Sequence, residues 1–485
     1  MSEIIPHWLT KQAFLAPKQI AIETKEGDKI TFLELNEKSE QFAKKLASSG
    51  VTNGAHVGIF STNNVSMVIA IHALSYLGAV SVMLNTKLTK EELHYQISDG
   101  KVRTVLACDS LGPSIRQMNF PVDVKTFTDI DKQQESEVTL LQEINLDDAF
   151  TIIYTSGTTG FPKGVVHTFG NHWWSATGSA LNLGLRAEDK WLAALPIFHV
   201  SGLSIFIRSA IYGMPVYLLE KFDEKNVHEA IMYREVTIVS IVTVMLQRLI
   251  NLLEEGGNRY PPSFRCMLLG GGPAPEPLLE KAKKRNIPVF QSYGMTETAS
   301  QIVTLSPEDA LNKIGSAGKP LFPAQLKINS QNNDQVGEIL VKGPMVTKGY
   351  FNNSDATKKA VANGWLATGD LGYVDQSGFL YVVDRRKDLI ISGGENIYPS
   401  EIESVLSGMD EVKEVGVVGK NDDTWGKVPV AFIVGNSTLT EEACIAYAAN
   451  YLAKYKLPKQ IYFIDKLPRN ASNKLVRASL LELLS

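Results

Sequence analysis

Ten consecutive residues, TSGTTGFPKG at 155–164, hold the densest ligand-binding chemistry in the chain. Gly157, Gly160 and Gly164 permit a tight turn and a close backbone approach. Thr155, Ser156, Thr158 and Thr159 surround that backbone with hydroxyls, and Lys163 adds a cation. Open amides, hydroxyls and one ammonium suit the oxygens of a polyphosphate. The run follows the apolar segment FTIIY, but it is neither a Walker A loop nor GxGxxG. An ordinary Gly/Thr connection between strands is the alternative. The density of phosphate-compatible residues favours a nucleotide.

Other polar turns follow apolar runs in the same way. LLGGGPAP at 268–275 sets three glycines after a strand, where a flat ring can lie against backbone. QSYGMTET at 291–298 offers an aromatic ring, Tyr293, two threonines and a carboxylate, Glu297. Beside a triphosphate, one carboxylate could complete a magnesium shell that the phosphates largely supply. A favourable acid at a helix start is the other reading of Glu297. Asp370, in the TGD turn at 368–370, could accept hydrogen bonds from ribose hydroxyls or simply sit in a solvated turn. His199, in LPIFHVSGLS, occupies an apolar strand-to-loop passage, as a packed core histidine or a catalytic one. Lys474 lies in the polar turn PRNASNK before a terminal helix. DRRKD at 384–388 reads as a solvated surface loop, and KAKKR at 281–285 as a solvated helix face.

These turns need a frame of strands and helices to hold them. An amphipathic helix is expected over 31–46, and a buried helix then a strand, GAVSVML, over 65–84. Strands are expected at HVGIF (56–60), TVLAC (104–108), FTIIYT (150–155), PVYLL (215–219), VTIVSIV (236–242), RCMLLG (265–270) and IPVFQSYG (287–294). Strands separated by helical stretches predict an α/β fold with mainly parallel sheets. After residue 320 the texture changes to short strands joined by Gly/Asp turns, a smaller and mostly antiparallel β region. Beyond DRRKD, the tail has its own helix–strand–strand–helix–strand rhythm, carried by PSEIESVL, VKEVGVVG, VPVAFIVG and IYFIDKL. It is long enough to be a separate domain.

Bulk composition narrows the function classes. At roughly 150 residues per domain, 485 residues suggest about three domains. Hydrophobic residues at 44% and charged ones at 21% exclude a disordered chain. Lys plus Arg number 48 against 52 Asp plus Glu, so charge alone would hold this chain to neither nucleic acid nor anionic lipid. Cys108, Cys266 and Cys444 show no zinc spacing and read as buried thiols in a reducing compartment. The start, MSEIIPHWLTKQ, lacks the pattern of a signal peptide, and His72 and Gly78 interrupt the most apolar stretch. A cytoplasmic chain without an integral membrane segment is the expectation. Nothing in the sequence sets an oligomeric state.

In this order, TSGTTGFPKG, SYGMTE, TGD, DRRKDLIISGGEN and PRNASNK resemble the adenylate-forming superfamily of acyl-CoA synthetases, luciferases and peptide-synthetase adenylation domains. The resemblance spans essentially the whole chain. TFGNHWWSA, LLGGGPAPEPLLE, QSYGMTETASQIVTLSPE and IGSAGKPLF are further similar to one bacterial, bacillus-type branch, the o-succinylbenzoate–CoA ligases of menaquinone biosynthesis. The implied fold is a large multi-layered body over 1–384, a hinge at 385–387, and a small mobile α+β cap over 388–485. The implied reaction consumes a carboxylic acid, ATP with Mg²⁺, and coenzyme A.

The resemblance also implies roles. Thr155 to Lys163 would hold the β- and γ-phosphates, through Ser156, Gly157, Thr158, Thr159 and Gly160. Gly271, Gly272 and Tyr293 would lie along the adenine, with Pro273, Gly294 and Met295 beside them, and Thr296 would reach the α-phosphate. Glu297 would bind magnesium, and Asp370 and Arg385 would grip the ribose. Lys474 would bridge the substrate carboxylate and the α-phosphate until rotation about Lys387 withdraws it. Gly393 and Gly394 would then line the path of the thiol. Thr155, His199, Glu297 and Lys474 are the catalytic candidates, with His199 as the gate of the acyl pocket.

A second carboxylate on the acid would need a cation or hydrogen bonds. Arg208, nine residues after His199, suits bidentate recognition; an arginine facing solvent from a helix is the alternative. Ser201, Ser300 and Gln301 could line the same pocket. Three competing readings stand beside this one. They are a ligase for another aromatic or fatty acid, a peptide-synthetase module, and an inactive ATP-binding scaffold. The histidine at 199, where a peptide-synthetase module needs an acid nearby, weighs against the second. The full set of phosphate-loop residues, with Glu297 and Lys474, weighs against the third.

Overall fold

The computed structural model describes residues 3–155, 162–257, 259–272, 274–310, 312–330, 335–385, 388–392, 395–422, 425–452, 454–470 and 474–484. Two large sheets form the body. One has six strands in the order Lys163–Thr168, Ala149–Thr155, Val80–Met83, His56–Phe60, Thr104–Ala107 and Asp123–Thr126, parallel except for the first pair. The other has nine, with the parallel run Val289–Met295, Cys266–Leu269, Ile238–Ile241, Trp191–Ala193, Val216–Leu218 and Ile20–Thr24 at its centre. Antiparallel strands close both edges of that second sheet. Burial on both faces explains why these strands are continuous apolar runs and not alternating ones.

The principal core joins the two sheets through Leu9, Phe32, Leu46, Ile59, Met67, Leu74, Phe150, Phe169, Leu203 and Phe206. The helix Phe32–Ser48 starts where sequence chemistry sets it, one residue later than expected. The Thr31 hydroxyl accepts from the Glu34 amide, and the Glu34 carboxylate accepts from Thr31 N. The helix Val65–Tyr76 is apolar all round and lies wholly within the body, with His72 buried in it. Among the described residues, no helix is long and apolar enough to cross a membrane. All three cysteines are buried and unpaired with one another.

The antiparallel region after residue 320 is a five-stranded sheet of Gln325–Asn329, Gly337–Lys342, Trp365–Val374, Val361–Ala362 and Leu380–Arg385. It brings a correction: Asp370 lies within the ten-residue strand Trp365–Val374, opposite Arg385, and not in a turn after a strand. The bulge between Leu371 and Gly372 bends that strand without ending it.

The tail follows the predicted rhythm. Pro399–Leu406, Val412–Asp422, Gly426–Gly435, Glu441–Ala448 and Gln460–Phe463 build a sheet flanked by helices around Ile402, Leu406, Val417, Ile433 and Cys444. A hairpin of Ile390–Ser392 and Glu395–Ile397 precedes them. The DRRKD ends are not solvated as expected. Asp384 is 8% exposed and accepts from the Ser400 amide at 3.0 Å. The Asp388 carboxylate lies 3.6 Å from Arg477, which also binds Glu403 through two bonds of 2.8 Å. The terminal helix Arg477–Glu482 carries this guanidinium back to them.

Candidate active site

The strand Ala149–Thr155 delivers Thr155 directly opposite Lys163 on the returning strand. Residues 156–161 between them, including Ser156, Gly157, Thr158, Thr159 and Gly160, lie outside the described residues. The Lys163 ammonium stands 5.1 Å from the centre of the Tyr350 ring. Tyr350 is held there by the chain around it: Phe351 N donates to the Gly164 carbonyl at 2.7 Å, and Tyr350 itself pairs with Val165. The Tyr350 hydroxyl donates to Glu297 Oε1 at 3.0 Å, and burial with that carboxylate pushes the phenol well above its ordinary range. Lys163 and Glu297 thus meet at one aromatic ring, and Thr155 pairs opposite Lys163. Sequence reading missed Tyr350. Its only local signal is an aromatic in a Gly/Asn turn, GYFNN, like the aromatic in QSYGMTET.

The strand Val289–Met295 brings Tyr293, Gly294 and Met295 to the same place, followed by one tight turn, Thr296–Thr298. Gly294 is required here, since any side-chain carbon would overlap the Ser300 carbonyl oxygen. After the turn, Ala299 and Ser300 have φ of 50° and 109°. Such values in L-residues cost on the order of 1–3 kcal/mol each and cluster at functional sites. Two side chains hold the strained turn: His167 Nε2 bonds the Thr296 carbonyl at 2.6 Å, and the Ser175 hydroxyl donates to the Ala299 carbonyl at 2.7 Å. Neither residue was singled out from sequence, because each partner lies more than a hundred residues away.

Tyr293 donates its hydroxyl to Asp370 Oδ2 at 2.8 Å, and both side chains are buried. The backbone of Arg385 pairs with Asp370; the Arg385 side chain lies outside the described part, as do Pro273, Lys387, Gly393 and Gly394. Gly271 adopts φ of +86°, and a side-chain carbon added there would stand 3.8 Å from Lys474 Cε. Gly272 has open space around it. Lys474 therefore reaches from the turn before the terminal helix to the glycine turn of the body. Its own turn is tied at both ends, by Lys474 N to Asn470 Oδ1 at 2.9 Å and Asn470 N to the Lys474 carbonyl at 2.8 Å.

His199 occupies the position before the first turn of the helix Val200–Tyr212, with no capping bond from its side chain, which corrects the expected strand-to-loop passage. Its ring packs on Phe198, and its pKa falls to about 4 through burial first, then the positive fields of Lys474 and Lys87. The ring is neutral at physiological pH and lies within the field of the Lys474 ammonium. Arg208, two turns on, is 2% exposed, so the solvent-facing alternative falls. Its guanidinium lies 5.4 Å from the Trp191 ring, and 3.5 Å from both Gln301 Oε1 and Ser175 Oγ. These are long contacts, and the Arg208 Nε and Gln301 Nε2 have no hydrogen-bond partner among the described residues. No acidic side chain pairs with Arg208 among the described residues, and burial lowers its pKa. Ser300 stands next to Gln301, and Ser201 is exposed in the first helical turn.

No group of three or more acidic, His or Cys side chains that could hold a metal occurs among the described residues. A single buried carboxylate, Glu297, fits a divalent cation that arrives already chelated by phosphates. The AMP-binding enzyme family matches residues 9–351, and its C-terminal domain matches residues 401–474. The chain belongs to the AMP-binding enzyme family. Within this family it is 59% identical to the 2-succinylbenzoate–CoA ligase of Oceanobacillus iheyensis, over 99% of this chain and 100% of the relative. Its structure is similar to o-succinylbenzoate CoA synthetase from Bacillus subtilis in complex with the acyl-adenylate intermediate OSB-AMP. That match has a TM-score of 0.93 and 48% identity, and covers 99% of this chain and 98% of the other. The complex of the Bacillus subtilis enzyme with ATP and magnesium ion matches equally, with a TM-score of 0.93, 47% identity, and 99% and 100% coverage.

Proposed function

We propose that this chain is an ATP-dependent acid–thiol ligase that joins 2-succinylbenzoate to coenzyme A in menaquinone biosynthesis. A carboxylate oxygen of the acid attacks the α-phosphorus of ATP·Mg, and the bond to pyrophosphate breaks. The thiolate of coenzyme A then attacks the carbonyl of the acyl-adenylate, and AMP leaves with the bonding pair. The observation that carries the choice of acid is Arg208, a buried guanidinium with no acidic partner among the described residues. A fatty acid would leave that charge uncompensated, whereas a second carboxylate would complete it.

The remaining roles follow from position and charge. Thr155, Lys163 and the loop 156–160 hold the β- and γ-phosphates, and Glu297, oriented by Tyr350, takes one position on magnesium. Tyr293, Gly294, Met295, Gly271, Gly272 and Pro273 form the adenine side, Thr296 meets the α-phosphate, and Asp370 with Arg385 holds the ribose. Two unit anions about 4 Å apart repel by about 4 kcal/mol at an effective dielectric of 20. Lys474 offsets that repulsion between carboxylate and α-phosphate, which its closeness to Gly271 and His199 supports. His199 gates the acyl pocket, and Ser201, Ser300 and Gln301 line it with Arg208. Residues 1–384 act as the body, 385–387 as hinge and 388–485 as the cap. Rotation of the cap withdraws Lys474 and brings Gly393 and Gly394 to the thiol path. The cytoplasm supplies ATP and coenzyme A, and we place the reaction there.

Pyrophosphate release with ATP·Mg, measured for 2-succinylbenzoate, benzoate and hexanoate, tests the assignment. A preference of roughly 100-fold or more for 2-succinylbenzoate is expected, because a site built around a polar group rejects analogues that lack it. Turnover of hexanoate with none of 2-succinylbenzoate would overturn the choice of acid.

A further inference from the structure

A chain of buried hydrogen bonds runs behind the site, between the acyl pocket and the strained turn. His167 and Thr151 face each other across the antiparallel strands Lys163–Thr168 and Ala149–Thr155. His172, on the helix Phe169–Leu183, reaches the same threonine. Thr151 and His167 are fully buried and His172 is 2% exposed. Burial lowers the pKa of both histidines, so each ring is neutral and carries a single N–H.

Those single protons fix every direction in the chain. A carbonyl can only accept, so His167 carries its proton on Nε2 and donates to the Thr296 carbonyl at 2.6 Å. His167 Nδ1 is then an acceptor, and the Thr151 hydroxyl donates to it at 3.1 Å. With that proton spent, Thr151 Oγ1 accepts from His172 Nε2 at 3.0 Å. The positive charge of Arg208 acts on the far end, at His172. Reversing any one link would leave two lone pairs or two protons facing each other in a buried site.

We infer that His167 is a positioning residue for adenylation: the chain His172–Thr151–His167 locks its tautomer so that it always donates to the Thr296 carbonyl and holds the strained turn Thr296–Ser300 in place. The inference rests on the reading that Thr296 meets the α-phosphate. Ser175 holds the neighbouring Ala299 carbonyl from the same helix that carries His172, so one helix and one strand clamp the turn from behind. None of the three residues of the chain touches a substrate in this scheme. Their effect passes through the position of Thr296.

Thr151 gives a test in which shape and hydrogen bonding point in opposite directions. Thr151→Val keeps the volume and removes the hydroxyl; Thr151→Ser keeps the hydroxyl and loses a methyl. The lock predicts that Thr151→Val lowers kcat for pyrophosphate release at least tenfold with KM for 2-succinylbenzoate within twofold, while Thr151→Ser stays within threefold of the parent on both. A packing role predicts the reverse order, and that order overturns the proposal. The imidazole ¹⁵N shifts of His167, assigned with His167→Gln, report the tautomer directly and need no substrate. Nε2–H in the parent and a mixture in Thr151→Val are expected; a mixture in the parent overturns the lock whatever acid the enzyme takes. Should Thr151→Val fail to fold by circular dichroism, His167→Gln and His167→Asn decide the matter. The Gln amide can place a donor near the Nε2 position and the Asn amide cannot, so Gln must retain at least five times the kcat of Asn. Equal loss in both overturns the proposal.

Discussion

The Tyr350 hydroxyl donates to Glu297 Oε1 at 3.0 Å while its ring faces the Lys163 ammonium at 5.1 Å. One side chain, 53 residues from Glu297 in sequence, thereby contacts both the acid and the cation of the proposed phosphate site. Direct contact of Lys163 with Glu297 would neutralise both. In the proposed reading, the carboxylate serves magnesium and the ammonium serves phosphate oxygens.

Tyr350→Phe keeps the ring and removes only the bond to Glu297. A hydrogen bond to a charged group contributes about 1.5–3 kcal/mol, so KM for ATP·Mg is expected to rise roughly ten- to a hundredfold. KM for 2-succinylbenzoate should change little. Steady-state pyrophosphate release at varied ATP·Mg measures this, and an unaltered KM for ATP·Mg would remove Tyr350 from the site.

Lys474→Ala removes the cation that stands against Gly271 and biases His199. Loss of one electrostatic group at a developing charge costs roughly 10²–10³ in kcat. The expected loss falls on adenylate formation alone. Synthetic acyl-adenylate supplied with coenzyme A should yield thioester at close to the parent rate. Equal impairment of both half-reactions would contradict a role confined to the first.

Arg208→Met replaces a buried, incompletely bonded guanidinium with an apolar chain of similar length. Truncating one partner of a buried charge pair costs about 2–5 kcal/mol, so KM for 2-succinylbenzoate should rise roughly 30-fold or more. The free enzyme should be no less stable, because an unpaired buried cation is itself costly. Thermal melting without substrate separates the two effects. A large fall in Tm would mean that Arg208 has a structural partner.

Acid stability depends on histidines held neutral by burial. His72 and His167 have pKa values lowered to about 4 and His7 to about 3, mainly by desolvation. Above the ordinary value of about 6.5, the folded and unfolded chains are both neutral and nothing is lost. As pH falls from 6.5 toward 4, the unfolded chain binds protons that the folded chain refuses. Stability then declines by up to about 1.4 kcal/mol per pH unit for each ring. Urea midpoints at pH 7, 6 and 5 should drop progressively, and His72→Leu should flatten the decline. A midpoint independent of pH over that range would contradict it.

The polar turns and the strands before them were legible because both depend on neighbours in sequence. Apolar runs, glycines where backbone must approach, and hydroxyl-rich turns are local properties, and they located Thr155, Lys163, Tyr293 and Glu297 on strand ends. The tail rhythm was legible for the same reason. Asp370 was misplaced because pairing with the distant strand Leu380–Arg385, which sets Arg385 opposite Asp370, continues the strand past TGD. The DRRKD aspartates were misplaced because the Ser400 amide holds Asp384 and Arg477 reaches Asp388 from the far end of the chain.

By itself, the sequence determined which chemistry the chain carries and on which segments. Only the tertiary structure decided that Arg208 is buried, that Tyr350 stands between Lys163 and Glu297, and that His167 meets a carbonyl 129 residues away. The physical reason is that a side chain's type sets what it can donate or accept, while its solvation, tautomer and partner are set by strand register and helix packing. Those depend on every distant segment that shares the core.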